Sequence, residues 1–235
     1  YEYDDDDLGP SQVYWVDEFG TLDPLPAAGS REEKVWLTFL RVASLKFAAK
    51  VIADYTVGDN PRSDTLAYVA KYEDSPYWTL AVNLDGSDQP EVLIPTLVHE
   101  YAHLLSLGRD QMTGSSDDCE TIDLYEGCLR EEAWLWQFSE IFWSDYDDAP
   151  DPENSDWDVT DPFYAEHEDD FVSDYAATNV IEDFAESFMV YVIEDAPIGD
   201  SVAAEKLRFF EAIPEFAAIR DRLRAEFASD LGIVP

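Results

Sequence analysis

Positive charge is scarce in this sequence. Only 14 Lys and Arg stand against 53 Asp and Glu in 235 residues, a formal net charge of −39 and a pI near 4.1. A surface of that sign repels a polyanion, which excludes nucleic acid as a partner and disfavours anionic membranes. Long apolar runs are also missing: no uncharged stretch approaches the ~18 residues of a membrane span. Cysteine is limited to Cys119 and Cys128, nine positions apart. That spacing lacks the close pairing of structural zinc ligands. It predicts instead a disulfide closing a short loop, with two buried thiols as the alternative. The chain-entropy contribution of such a bridge is roughly 2–3 kcal/mol. Histidine occurs only at 99, 103 and 167.

What is present is apolar enough to fold. Hydrophobic residues make up 46% and aromatics 14%, a payload that disordered acidic tails lack. The length fits one domain with an appended arm. Residues 1–10 form an acidic lead, and Gly20, Pro24, Pro26 and Gly29 mark a connecting segment. The division expected is therefore an acidic, Pro/Gly-rich arm over 1–30 and a domain over 31–235. The sequence opens at Tyr1 without Met or a signal-like apolar run and reads as a mature or trimmed form, its export inferred from the cysteines. Asp outnumbers Glu 31 to 22, a heavily hydrated surface that repels itself when salt is low. A secreted, extracellular protein is expected, with the cytoplasm of a high-salt organism as the alternative.

Ser30-x-x-Glu33 resembles a capping box, and Val35, Trp36, Phe39, Leu40, Val42, Ala43 and Phe47 follow at helical spacing. Strand-like runs occupy about 50–57, 66–72 and 77–84, the last two joined by the turn EDSP. A helix then runs from Pro90 to a stop at Gly108, and another covers 131–143. Residues 144–162, dense in Asp and Pro, read as a surface loop. Their acidic part, 145–161, offers several Asp residues that could hold Ca²⁺, although it lacks the residue order of an EF-hand calcium loop. Helices return at about 180–194, 201–212 and 214–229. A helix, then a small antiparallel or mixed sheet, then mostly helices indicates an α+β fold.

Two of the three histidines lie in His99-Glu100-Tyr101-Ala102-His103. With this composition, roughly 0.004 chance occurrences of H-E-x-x-H are expected. On a helix, positions i and i+4 face the same way, so both imidazoles can reach one metal. Zinc suits two imidazoles, and Glu100 stands beside them to take a proton from bound water. The extended motif H-E-x-x-H-x-x-G-x-x-H fails, because Ser106 and Arg109 occupy its last two fixed positions. A third ligand must therefore come from a downstream carboxylate or from His167.

The 179–194 helix offers it. Ile181, Phe184, Ala185, Phe188 and Val192 form one apolar face, and Asp183, Ser187 and Glu194 form a polar face expected to be solvated. Glu182 and Glu186 share a third face with Met189 and Ile193. Two carboxylates on a mostly apolar face need a positive partner. Glu182 as zinc ligand and Glu186 as acceptor of an outer imidazole N–H supply that logic. Asn179 with Glu182 also fits a capping box, the competing account of Glu182. His167, in AEHEDD, reads as a surface residue.

HEYAH followed 79 residues after His103 by a helical Glu resembles the gluzincin class of zinc metallopeptidases. Tyr175, seven residues before Glu182, and Glu186, four after it, make a Tyr-x6-Glu-x3-Glu pattern similar to lethal-factor-type catalytic domains and their bacterial relatives. The resemblance covers about 96–107 and 174–190 only. It implies a zincin-like fold and a transition-state role for the Tyr175 hydroxyl, with Glu182 on zinc and Glu186 orienting a zinc-bound histidine. It also implies that the 77–84 run (Tyr77, Trp78, Thr79, Leu80) lies along the cleft and pairs with extended substrate. The expected function is a zinc-dependent peptidase acting on peptide or protein substrates, with a catalytically silent zinc- or peptide-binding module as the alternative.

Overall fold

The computed structural model describes residues 7–73, 75–114, 118–195 and 199–234; positions 1–6 of the acidic lead lie outside the described residues. The protein is mixed α+β. Two units are distinguished: one takes the residues up to Leu104 together with Glu226–Ile233, the other Leu105–Ala225 with Val234.

The first unit begins with β1 (Gln12–Val16) and β2 (Leu22–Asp23). The expected connecting arm over 1–30 is thus corrected: it contributes two strands. The reason is local. Tyr14 turns inward while Val13 and Trp15 stay exposed, the alternation of a half-buried strand. The Asp17 carboxylate accepts from the Phe19 and Thr21 amides (2.9 and 2.8 Å), and Gly20 takes φ +75°, which closes the hairpin.

Helix α1 (Arg31–Ala43) starts as predicted. Ser30 Oγ accepts from the Glu33 amide (3.3 Å), while the Glu33 carboxylate accepts from the Gly29 amide. Ser44 at φ 71° breaks the helix, and α2 (Leu45–Val51) carries Phe47. Then come β3 (Ile52–Gly58), β4 (Ala67–Lys71) and β5 (Trp78–Asn83), within a residue or two of their expected positions. The sheet order is β2-β1-β3-β5-β4, with β3 and β5 parallel and the other pairs antiparallel. The mixed sheet is therefore as expected. The 77–84 run is not available to a substrate strand, however. It is flanked by β3 on one side and β4 on the other, and Trp78 and Leu80 are core residues.

Tyr55 of β3 packs between Trp36 (centroids 5.4 Å) and Tyr14 (5.9 Å). Gly58 is required by packing, since a Cβ there would overlap the Leu8 carbonyl. Helix α3 (Pro90–Ser106) follows, and Phe47 meets Tyr101 edge-on at 5.1 Å. Arg41 pairs with Glu226 and Asp230 (2.7 and 2.8 Å) and lies over the Phe227 ring.

The second unit opens with a small sheet of β6 (Met112–Thr113), β7 (Asp123–Leu124) and β8 (Gly127–Leu129), in the order β6-β8-β7. The predicted Cys119–Cys128 disulfide is present and closes this segment. Helix α4 (Trp134–Phe142) follows. Helix α5 (Trp157–His167) occupies residues read as the end of a surface loop. Asp156 caps it by accepting from the Asp158 amide, and Thr160 and Phe163 are buried, so the Asp-rich composition concealed a helix start. Short 3-10 turns at Glu168–Asp170 and Tyr175–Ala177 lead to α6 (Val180–Ile193), α7 (Val202–Glu211) and α8 (Pro214–Leu231). Phe138, Phe184, Phe188, Phe210 and Phe216 form a fully buried ring cluster. Among the described residues, no helix is long and apolar enough to cross a membrane.

Candidate metal centre

Helix α3 is apolar nearly all round, and every residue from Leu97 to Leu104 is buried. His99 and His103 are each 8% exposed and Glu100 4%. The four-residue spacing brings the two Nε2 atoms to 3.0 Å, with the rings near perpendicular at 79°. Two ring nitrogens at that separation either share a proton or present their lone pairs to one cation.

On α6 the side chain of Asn179 accepts from the Ile181 and Glu182 amides (2.8 and 2.9 Å). The cap reading is therefore correct for Asn179, whose side chain takes the backbone N–H of Glu182. Glu182 is 8% exposed. Ligand atoms of His99, His103 and Glu182 all lie within 4.8 Å of one another, a group able to hold a metal ion. Two imidazoles and a carboxylate are a zinc-type donor set that leaves one position for water. Ligands at ~2.0–2.2 Å from a tetrahedral ion lie about 3.3–3.6 Å apart, and the 3.0 Å pair and the 4.8 Å limit enclose that value. The donor set and its spacing fit.

Glu186 is half-buried and accepts from Ser173 Oγ at 2.7 Å. The same Oγ accepts from the Ala176 amide (3.1 Å), which joins Glu186 to the turn that carries Tyr175. Tyr175 is 37% exposed, its ring 6.4 Å from Trp157. His167 is outside the His99/His103/Glu182 group. Its Nε2 lies 3.4 Å from Asp148, and with Glu166 these residues form a separate cluster whose two carboxylates are exposed.

One expectation fails outright. Asp183 and Ser187 are not solvated: both are 0% exposed. Asp183 accepts from Lys206 Nζ (2.7 Å), Trp143 Nε1 (2.8 Å) and Ser187 Oγ (3.1 Å). Burial pushes the Asp183 carboxyl up and the Lys206 ammonium down, and each charge opposes the shift in the other. A signal existed in the sequence. Lys206 lies four residues before Phe210, on a face that also carries other apolar residues, so a lysine there needed a buried anion.

Compared with protein-family models, with curated proteins and with solved structures, the chain finds no match in any of the three.

Proposed function

We propose that this chain is a zinc-dependent endopeptidase of gluzincin type on a zincin-like fold. The observation that carries the reading is the buried convergence of His99, His103 and Glu182, with Glu100 between the two histidines on the same helix. Zinc in such a group supplies a Lewis acid and a bound water of lowered pKa. Glu100 then acts as general base toward the attacking water and returns the proton to the leaving amine. The Tyr175 hydroxyl donates to the developing oxyanion. Glu186 accepts the outer N–H of a liganding imidazole and so fixes its tautomer. Glu100 separates this reading from a silent zinc-holding module, since structural zinc needs no general base. The Cys119–Cys128 disulfide supports an oxidising, extracellular setting.

Metal analysis tests the site. The purified chain is expected to hold about one zinc, and His99→Ala and Glu182→Ala to lose it. Wild-type protein that takes up no zinc after dialysis against the metal would remove the proposal.

A further inference from the structure

The Asp183–Lys206 ion pair is wholly buried, and every group in it is used. Besides Asp183, the Lys206 ammonium donates to the Asp170 carbonyl (2.8 Å) and lies 3.7 Å from the centroid of the Phe171 ring. The donors to Asp183 come from α7, from Trp143 at the end of α4, and from Ser187 one turn along α6. Asp183 immediately follows Glu182. We propose that this ion pair is a positioning device: it fixes the rotation of α6 about its axis and so sets the direction in which Glu182 presents its carboxylate. The inference rests on the metal-site reading above and deepens it.

The physical reason lies in what a buried ion pair does and does not do. Relative to well-packed apolar residues of similar volume, it is a poor source of stability, because desolvation consumes the Coulombic gain. Its directional hydrogen bonds, however, tolerate little displacement. Much of the remaining packing of α6 in this unit is ring contact, Phe184 and Phe188 against Phe138, Phe210 and Phe216, and rings can slide. Ser173 Oγ adds one directional bond, to the Glu186 carboxylate. Residues 182 and 183 point ~100° apart on the helix, so anchoring one aims the other. A rotation of ~20° would move a side-chain end at ~5–6 Å from the axis by about 2 Å. Metal–ligand distances allow only about ±0.2 Å. Asn179 and Arg224 hold the two ends of α6 through the Glu182 amide and the Ile193 and Glu194 carbonyls. Between them the ion pair supplies a fully buried lateral constraint with three donors on one carboxylate, beside the single Ser173–Glu186 bond.

The test compares three variants of the full chain by chelator-competition zinc titration, the visible spectrum of the cobalt form, and thermal melting. Asp183→Leu/Lys206→Met removes both charges while keeping volume. Leu207→Ala, on the same α7 and buried, loosens packing without touching the pair. Trp143→Phe deletes one donor. The double variant is expected to raise the zinc Kd about tenfold or more and to alter the cobalt bands, with Trp143→Phe shifting less in the same direction. Leu207→Ala should melt earlier yet bind zinc within about twofold of wild type. The inference is overturned if the double variant folds and binds like wild type. It is equally overturned if Leu207→Ala weakens zinc as much at a matched melting point. Should the double variant fail to fold, Trp143→Phe decides, and an unchanged Kd there overturns it. Wild-type protein that binds neither zinc nor cobalt is a different result, which removes the metal-site reading beneath.

Discussion

Glu182 serves two separate purposes with two different groups. Its amide completes the Asn179 cap, and its carboxylate joins His99 and His103. Glu182→Ala keeps the amide, so the melting point of the metal-free protein should change little while zinc affinity falls by more than about tenfold. An unchanged affinity by chelator competition would assign the third ligand elsewhere. In the proposed role of Glu186 as acceptor of a liganding imidazole's outer N–H, Glu186→Ala should cost about 10–100-fold in zinc affinity or turnover. Asp183 shows where residue-level reading fails. A helical wheel ranks faces by polarity, and it treats Asp and Ser as solvent-seeking. It does not show that Lys206, from another helix, and Trp143 come to meet them.

At the scale of elements, the two helices that carry the group were legible, and for different reasons. Helix α3 has a dense apolar pattern ended by Gly108, and α6 has an Asn cap ahead of a strong apolar stripe. Both signals are local. The β1–β2 hairpin was not legible, because Pro24, Pro26 and Gly29 dominate the composition of a stretch whose pairing depends on β3, some forty residues on. Substrate pairing along 77–84 failed for a similar reason: whether a strand lies at an edge is decided by its partners. Helix α5 was hidden by the same Asp that caps it. The Asn179 side chain also donates to the Asn154 carbonyl (2.9 Å), which ties the acidic loop to the start of α6. Asn179→Ala should therefore cost about 1–2 kcal/mol. Thermal melting should register this as a fall of roughly 2–8 °C, and no change would contradict the cap.

For the whole molecule, the net charge of −39 acts against the folded state. At 1 M salt the Debye length is about 3 Å against about 8 Å at 0.15 M. The melting point should therefore keep rising as sodium chloride is raised to that level; a fall would show that exposed pairs such as Arg31–Asp59 and Arg41–Glu226 outweigh the repulsion. Alkaline pH acts through the tyrosines. Burial first, then Glu32, raises Tyr55; burial, then hydrogen bonds to Asp54 and Asp170, raises Tyr72 and Tyr146. The unfolded chain releases these protons near pH ~10 while the folded chain still holds them, so stability falls as pH rises above about 10. Denaturation midpoints measured from neutral pH upward should show the decline.

In the proposed function, the buried histidines and Glu182 form a hydrolytic zinc site. The most direct measurement is cleavage of a mixed peptide library by zinc-loaded wild-type chain and by Glu100→Gln. Cleavage by the wild type is expected, and a loss of about 10²-fold or more in the variant with zinc content unchanged. Stoichiometric zinc with no cleavage by the wild type, or equal cleavage by the variant, would contradict it.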